Sequence, residues 1–138
     1  MKSLKPFFLI TDIGFILYWT ITTLHIIPDE YLFKDYYNPV VAAWNWSFMP
    51  LDLFISITGL TSLYLYHRKN PAWSGMALAS LVLTFCSGLM AIAFWGIKGD
   101  FDIGFWIPNL YLLIYPFFFF KRFIFGETVL QKKSEIET

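Results

Sequence analysis

Residues 43–53 read AWNWSFMPLDL, and in them two tryptophans and an asparagine precede a carboxylate inside a long apolar run. If this segment is helical, Asn45, Asp52 and Ser56 fall on one side, because steps of 7 and 4 residues stay in phase with a helical period of about 3.6. Gly59 continues that side. The neighbouring residues are Leu, Ile and Phe, so the polar side requires partners other than lipid. The pattern predicts one wall of a pocket inside a membrane bundle.

The composition around this stretch is typical of a membrane protein. Of the 138 residues, 57% are hydrophobic and 14% are charged, too few polar groups to cover a soluble domain of this size. Four apolar stretches approach or exceed the length that crosses about 30 Å of hydrocarbon at about 1.5 Å per residue. They are residues 6–27, 46–66, 71–97 and 103–125. Because a bilayer offers backbone groups no water, we predict an all-α polytopic membrane protein with a four-transmembrane-helix bundle.

The chain is predicted to form one transmembrane domain, residues 1–126, with an outer connection over 28–45 and a polar cytoplasmic tail over 127–138. Most of the basic residues flank one set of helix ends, namely Lys2, Lys5, Arg68, Lys69, Lys121, Arg122, Lys132 and Lys133. The positive-inside rule therefore predicts that both termini are cytoplasmic. The net charge is zero, which indicates no nucleic-acid partner.

Several polar residues cluster by depth in the predicted bundle. His25, Asp52 and Asn109 lie in its outer half, with Asp29 and Asp35 above them. Asp52 could donate a proton when neutral or face a cation when charged, and a histidine beside it would be a second proton carrier. The alternative is a buried hydrogen-bond network that only fixes the helix register. No metal site or cofactor is predicted, because the histidines and acids lack ligand spacing.

Asp12, in the first predicted helix, also has two interpretations. It is either a helix-start acid bonded to Lys5 or to backbone donors, or a residue with a functional role in the interior. The small residues of the third helix predict close helix packing and are Ser80, Thr84, Ser87, Gly88 and Ala91.

Short motifs in all four helices resemble the EXPERA superfamily of four-helix membrane proteins, which includes the sigma-2 receptor and a sterol isomerase, the emopamil-binding protein. The segments that carry the resemblance are Phe33-Lys34-Asp35, Ala43-Trp44, Ser47-Phe48, Asp52-Leu53, His25 followed by Asp29, and Asn109 with Pro116. Asp stands at positions 29 and 52 where the superfamily has Glu, and Thr22 stands in place of a first-helix aspartate. The chain also resembles small uncharacterised membrane proteins of the Bacillus YvaD kind, which points to a bacterial cell membrane.

The EXPERA resemblance implies a pocket for a sterol-like or isoprenoid-like lipid or an amphiphilic amine, with or without double-bond isomerase activity. It implies catalytic roles for His25, Asp29, Asp52 and Asn109. The predicted ligand contacts are Thr22, Asp35, Trp44, Asn45, Trp46, Ser56 and Trp106. Two alternatives stay open at this point: a dimeric proton-coupled exporter that uses Asp12 and Asp52 as relay points, and a structural or immunity-type membrane protein.

Overall fold

The structure, a computed structural model, describes the backbone of residues 1–136 and the side chains of residues 1–126. Its helices are α1 (Lys5–Thr23), α2 (Pro39–His67), α3 (Trp73–Lys98) and α4 (Ile103–Ile136). All four are long and apolar enough to cross a membrane. The predicted all-α membrane protein with four transmembrane helices is therefore confirmed. The side chains of the predicted polar tail, 127–138, lie outside the described residues.

Two helix boundaries differ from those expected from the apolar runs. α1 ends at Thr23 because the chain turns at His25, whose φ is 49°, and because Pro28 disfavours a helical conformation in the residue before it. α2 begins at Pro39, seven residues before the predicted start at 46. Asn38 caps it by accepting hydrogen bonds from the backbone N–H groups of Val40 and Val41, and proline is well tolerated in a first turn. The stretch with the two tryptophans therefore lies well inside α2.

Consecutive helices pack side by side, α1 against α2, α2 against α3 and α3 against α4. We call the end that carries Met1 and the α2–α3 turn the proximal end, and the end formed by residues 24–38 and 99–102 the distal end. α3 stops at the distal end on Gly99, which adopts a left-handed conformation with φ 73°. At the proximal end an apolar core joins the helices and contains Met1, Leu4, Phe8, Leu63, Ala77, Leu81, Leu112 and Tyr115.

The outward faces of the helices are apolar. Many large hydrophobic side chains are exposed along the four spans, among them Ile10, Leu17, Phe54, Ile57 and Phe118. Many polar side chains of the spans instead point inward, and Asp12, Asn45, Asp52, Ser80 and Thr84 are all buried. This inside-out distribution suits a bundle whose solvent is lipid.

Candidate intramembrane cavity

The distal half of the bundle contains a partly open cavity of about 350 Å³. All four helices and the distal connection contribute to its wall. The lining residues are Phe15, Tyr18, Trp19, Leu32, Phe33, Lys34, Trp44, Asn45, Phe48, Asp52, Ser87, Ala91, Gly104, Phe105, Pro108, Asn109 and Leu112. Small-molecule sites in proteins are roughly 300–1,000 Å³, so the cavity can hold a small ligand.

Asp52 supplies the carboxyl of this cavity. It lies on α2 and is 5% exposed. Its Oδ2 accepts a hydrogen bond from Trp19 Nε1 of α1 at 3.0 Å, and its Oδ1 accepts one from Ser87 Oγ of α3 at 3.1 Å. Both donors are neutral, and within the described part of the chain no Lys, Arg or His side chain pairs with Asp52. The carboxyl is thus oriented from two sides but has no counter-ion.

A second polar group lies two turns away on the same helix. Asn45 Oδ1 accepts a hydrogen bond from the Tyr18 hydroxyl at 3.2 Å. The Nδ2 of Asn45 is buried and has no hydrogen-bond partner among the described residues. A buried donor without a partner costs free energy, so this amide requires an acceptor atom from a water or a bound molecule.

Aromatic rings form much of the remaining wall. Trp44 of α2 stacks on Phe94 of α3 with ring centroids 4.0 Å apart, and it also lies 6.4 Å from Phe105 of α4. On α1, the Trp19 ring is 5.5 Å from that of Trp46. The cavity therefore presents aromatic faces around one carboxyl, and such faces attract apolar groups and cations alike.

Two ion pairs, which we call the distal latch, join residues 34–35 to residues 98–100 at the distal end of the bundle. Lys34 Nζ donates to Asp100 Oδ1 at 2.6 Å, and Lys98 Nζ donates to Asp35 Oδ2. Both ammonium groups also lie over the Trp95 ring, at 5.7 and 4.7 Å from its centroid. The hydrogen bond from Lys34 lowers the pKa of the Asp100 carboxyl and raises the pKa of Lys34 itself. Because Lys34 also lines the cavity, the latch connects the loops to the pocket wall.

This latch is expected to open in acid. A carboxyl whose pKa is lowered by folding stabilises the folded protein above the ordinary aspartate pKa of about 3.9, and that contribution is lost as the pH falls through the lowered value. Hydrogen–deuterium exchange of residues 29–38, corrected for intrinsic rates, should therefore accelerate below about pH 4. Lys34→Met should give the faster exchange already at neutral pH, whereas Lys2→Met at the proximal end should not. Equal protection in Lys34→Met and the unaltered protein would contradict the latch.

Comparison with known proteins places the chain in a family. A family model described as "Family of unknown function (DUF5360)" matches residues 4–129, which include every residue of the cavity wall. The chain belongs to the DUF5360 family. It is 56% identical over 119 residues to "Uncharacterized protein YvaD" of Bacillus subtilis (strain 168), covering 86% of this chain and 90% of that protein. No solved structure matches the chain.

These matches confirm the predicted resemblance to proteins of the Bacillus YvaD kind. Together with the four apolar helices, they describe a multi-pass membrane protein, and the Bacillus relative is consistent with a bacterial membrane. The resemblance to the EXPERA superfamily, the orientation of the termini and the dimeric state of the exporter alternative stay predictions.

Of the residues predicted to be catalytic in this DUF5360 protein, two line the cavity and two lie on the distal surface. Asp52 and Asn109 both line the cavity, and Asn109 is held by a hydrogen bond from its Nδ2 to the Phe105 carbonyl at 2.8 Å. His25 and Asp29 are not among the described residues that line it. Their side chains pair with each other at 2.6 Å, and they are 52% and 44% exposed. The pair therefore lies on the distal surface, apart from Asp52.

The predicted ligand contacts lie in three places: at the cavity, buried between helices outside its lining, and at the distal end. Trp44 and Asn45 line the cavity, and Trp46 lies behind its wall against Trp19. Thr22 is buried, and Ser56 Oγ donates to the backbone carbonyls of Asp12 and Asp52, both at 3.1 Å. The two distal residues make loop contacts: Asp35 belongs to the latch, and Trp106 Nε1 donates to the Asp100 carbonyl at 2.8 Å.

Among the cavity residues with hydrogen-bonding side chains, four were not predicted as site residues. Trp19 and Ser87 orient the Asp52 carboxyl, Tyr18 donates a hydrogen bond to Asn45, and Lys34 pairs with Asp100 at the distal end. Ser87 belongs to the small-residue side of α3, for which the sequence predicts helix packing. Ser87 can serve both packing and hydrogen bonding, because a small polar residue at a helix contact lets the backbones approach and still donates a hydrogen bond. In the sequence, Lys34 looks like any solvated loop lysine; its role depends on the ion pair with Asp100, which is distant in the chain.

Proposed function

We propose that this protein binds an amphiphilic molecule with a protonated amine in the distal cavity, with Asp52 as the counter-ion of the amine. The observation that carries the proposal is the carboxyl of Asp52, which faces an aromatic cavity with two neutral donors and, among the described residues, no cationic partner. An ammonium group would complete the charge balance of a buried carboxylate, whose isolation is costly. The aromatic walls would bind the apolar body of the ligand.

The polar groups around Asp52 support a ligand with more than one polar atom. Asn45 Nδ2 requires an acceptor, so a hydroxyl, ether or carbonyl oxygen near the amine would bind there. Trp19 and Trp44 line the cavity, and aromatic rings stabilise a nearby cation. A ligand with an amine and a neighbouring oxygen on an apolar body fits these three features together.

The proposal concerns binding and not proton-transfer chemistry. Isomerisation by two acid–base groups needs both of them within hydrogen-bond reach of one substrate. Among the described residues that line the cavity, Asp52 is the single carboxyl, and the His25–Asp29 pair faces the distal surface. The isomerase activity implied by the EXPERA resemblance stays a prediction.

Asp52→Asn is expected to weaken amine binding by about tenfold or more, because a hydrogen bond to a charged group contributes roughly 1.5–3 kcal/mol and 1.4 kcal/mol is a factor of ten. The substitution keeps the size of the side chain and removes its charge. The measurement is a titration of the purified protein in nanodiscs with a hydrophobic alkylamine and with the alcohol of the same chain length. The alcohol should bind both proteins alike.

Glu30→Gln provides the matched control, since Glu30 is an exposed acid at the distal end. It should leave amine affinity unchanged. Equal amine affinity in Asp52→Asn and the unaltered protein would refute the proposed counter-ion, and equal loss of amine and alcohol binding would show that the substitution only damages the cavity.

A further inference from the structure

A second buried carboxyl lies in the proximal half of the bundle, outside the wall of the distal cavity. Asp12 is 0% exposed, and neither of its carboxyl oxygens has a hydrogen-bond partner among the described residues. It lies seven residues after the start of α1, or about 10 Å along the helix axis. This depth places it in the apolar part of the span. The helix-start interpretation does not fit these contacts, because neither Lys5 nor a described backbone N–H bonds the carboxyl.

The neighbouring helix is shaped to receive this side chain. Gly59 of α2 lies directly against it, and a Cβ at that position would be only 2.1 Å from Asp12 Oδ2. The next polar residue on the same side of α2, Ser56, donates its hydroxyl to the backbone carbonyl of Asp12 at 3.1 Å. α2 therefore holds the backbone of α1 at Asp12 and leaves room for the carboxyl itself.

The titratable groups that face Asp12 come from α4. The hydroxyls of Tyr111 and Tyr115 accept hydrogen bonds from Thr11 Oγ1 at 3.4 and 3.2 Å and lie within electrostatic range of the carboxyl. α2 contributes Gly59 and Ser56 at this point, neither of which carries a charge. No Lys, Arg or His side chain within the described ranges forms an ion pair with Asp12.

This environment favours the neutral form of the Asp12 carboxyl over the charged form. An isolated carboxylate in an apolar interior is costly, whereas a protonated carboxyl has no net charge to desolvate. A metal ion would need several oxygen ligands, and the described residues contain no group of three His, Cys, Asp or Glu side chains that could hold one. A proton, unlike a metal ion, can be bound by the carboxyl of Asp12 without any further ligand.

We propose that Asp12 is an intramembrane proton-binding site, distinct from the Asp52 cavity, whose carboxyl carries an exchangeable proton at neutral pH. Tyr111 is half-buried, and its hydroxyl accepts a hydrogen bond from Thr11, the residue before Asp12. On this proposal the proton would exchange through this partly exposed tyrosine. Because the carboxyl is packed against Gly59, loss of the proton would place a charge in the contact between α1 and α2 and weaken it. The site thereby couples proton binding to helix packing.

Infrared spectroscopy of the full chain in nanodiscs tests the proposal, because a protonated carboxyl has a carbonyl stretching band that a carboxylate lacks. The spectrum of the unaltered protein minus that of Asp12→Asn should show this band at neutral pH, and the band should shift in deuterium oxide. Glu30→Gln should show no such difference, since a solvated carboxylate contributes none. A spectrum unchanged by Asp12→Asn, or a band insensitive to deuterium oxide, would overturn the proposal.

A sodium-dependent loss of the infrared band would assign the site to a cation instead and would overturn the proposal. If Asp12→Asn does not fold, Asp12→Ser should give the same loss of the band.

Discussion

Replacing Gly88 with alanine is expected to cause the largest loss of stability of any single methyl addition in the described chain. A Cβ at Gly88 would lie 2.6 Å from Leu113 N, 2.9 Å from the Asn109 carbonyl oxygen and 2.9 Å from Leu112 C. All three atoms belong to the backbone of α4, which cannot rotate away as a side chain could. Overpacking typically costs about 1–3 kcal/mol, and we expect the upper end of that range.

The same substitution should also disturb the cavity, because Asn109 and Leu112 line it. Thermal unfolding in detergent, followed by circular dichroism, measures the stability, and alkylamine titration measures the cavity. Gly75→Ala is the matched control on the same helix, since a Cβ there has no atom within 4 Å. A helical Gly→Ala change without a clash is neutral or stabilising by up to about 1 kcal/mol. Equal unfolding temperatures for the two variants would contradict the close contact of α3 with α4.

The second large effect is expected at Gly59, where alanine would displace the Asp12 carboxyl. The added Cβ would be 2.1 Å from Oδ2 and 2.8 Å from both Cγ and Oδ1. Asp12 is short and fully buried, so it has little room to rotate. Gly59→Ala alone should therefore lower stability by about 1–3 kcal/mol. In an Asp12→Ala background the clashing atoms are gone, and the same change should cost much less.

This double-mutant cycle measures the contact directly. Residues in contact commonly show coupling free energies of about 0.5–3 kcal/mol, whereas independent sites add. Gly14→Ala on α1, where a Cβ has no atom within 4 Å, is the control that should add with Asp12→Ala. Additive effects of Gly59→Ala and Asp12→Ala would show that the carboxyl does not lie against α2, and the proposed proton site would lose its structural basis.

The two buried carboxyls have different surroundings and therefore different proposed ligands. Asp52 accepts two hydrogen bonds and faces a cavity, an arrangement that suits a charged partner entering from outside. The Asp12 carboxyl has no hydrogen-bond partner among the described residues, and Asp12 does not line this cavity. Ser56 lies between them and bonds the backbone carbonyls of both. The alkylamine titration reports on Asp52 and the infrared band reports on Asp12, so the two measurements distinguish the two proposals.

Part of the site was predictable from helical periodicity. The spacing of Asn45, Asp52 and Ser56 predicted one buried side of α2, and all three residues are buried. Asp52 and Asn109 were expected at a common depth, and both line the cavity. A regular helix repeats its sides with a fixed period and rise, so depth and direction within one span follow from residue numbers alone.

The connections were less predictable, because their geometry depends on caps and partners. The apolar run placed the start of α2 at 46, although Asn38 and Pro39 form a cap and a first turn that lengthen the helix. His25 and Asp29 are four residues apart, as on one helical side, but the left-handed turn at His25 takes them out of α1 and onto the distal surface.

Four long apolar runs are enough to predict a four-helix membrane protein with polar residues turned inward, because a helix satisfies its own backbone groups in lipid and exposed polar side chains are costly there. Which of those polar residues meet could not be predicted in this way, because it depends on how the helices pack. Trp19, Ser87 and Asp52 come from three helices and converge on one carboxyl, while Asp12 is left against a glycine. These contacts between helices depend on how each helix is rotated about its axis and on the angle at which the helices cross. Small residues set both through close contacts between segments far apart in the chain.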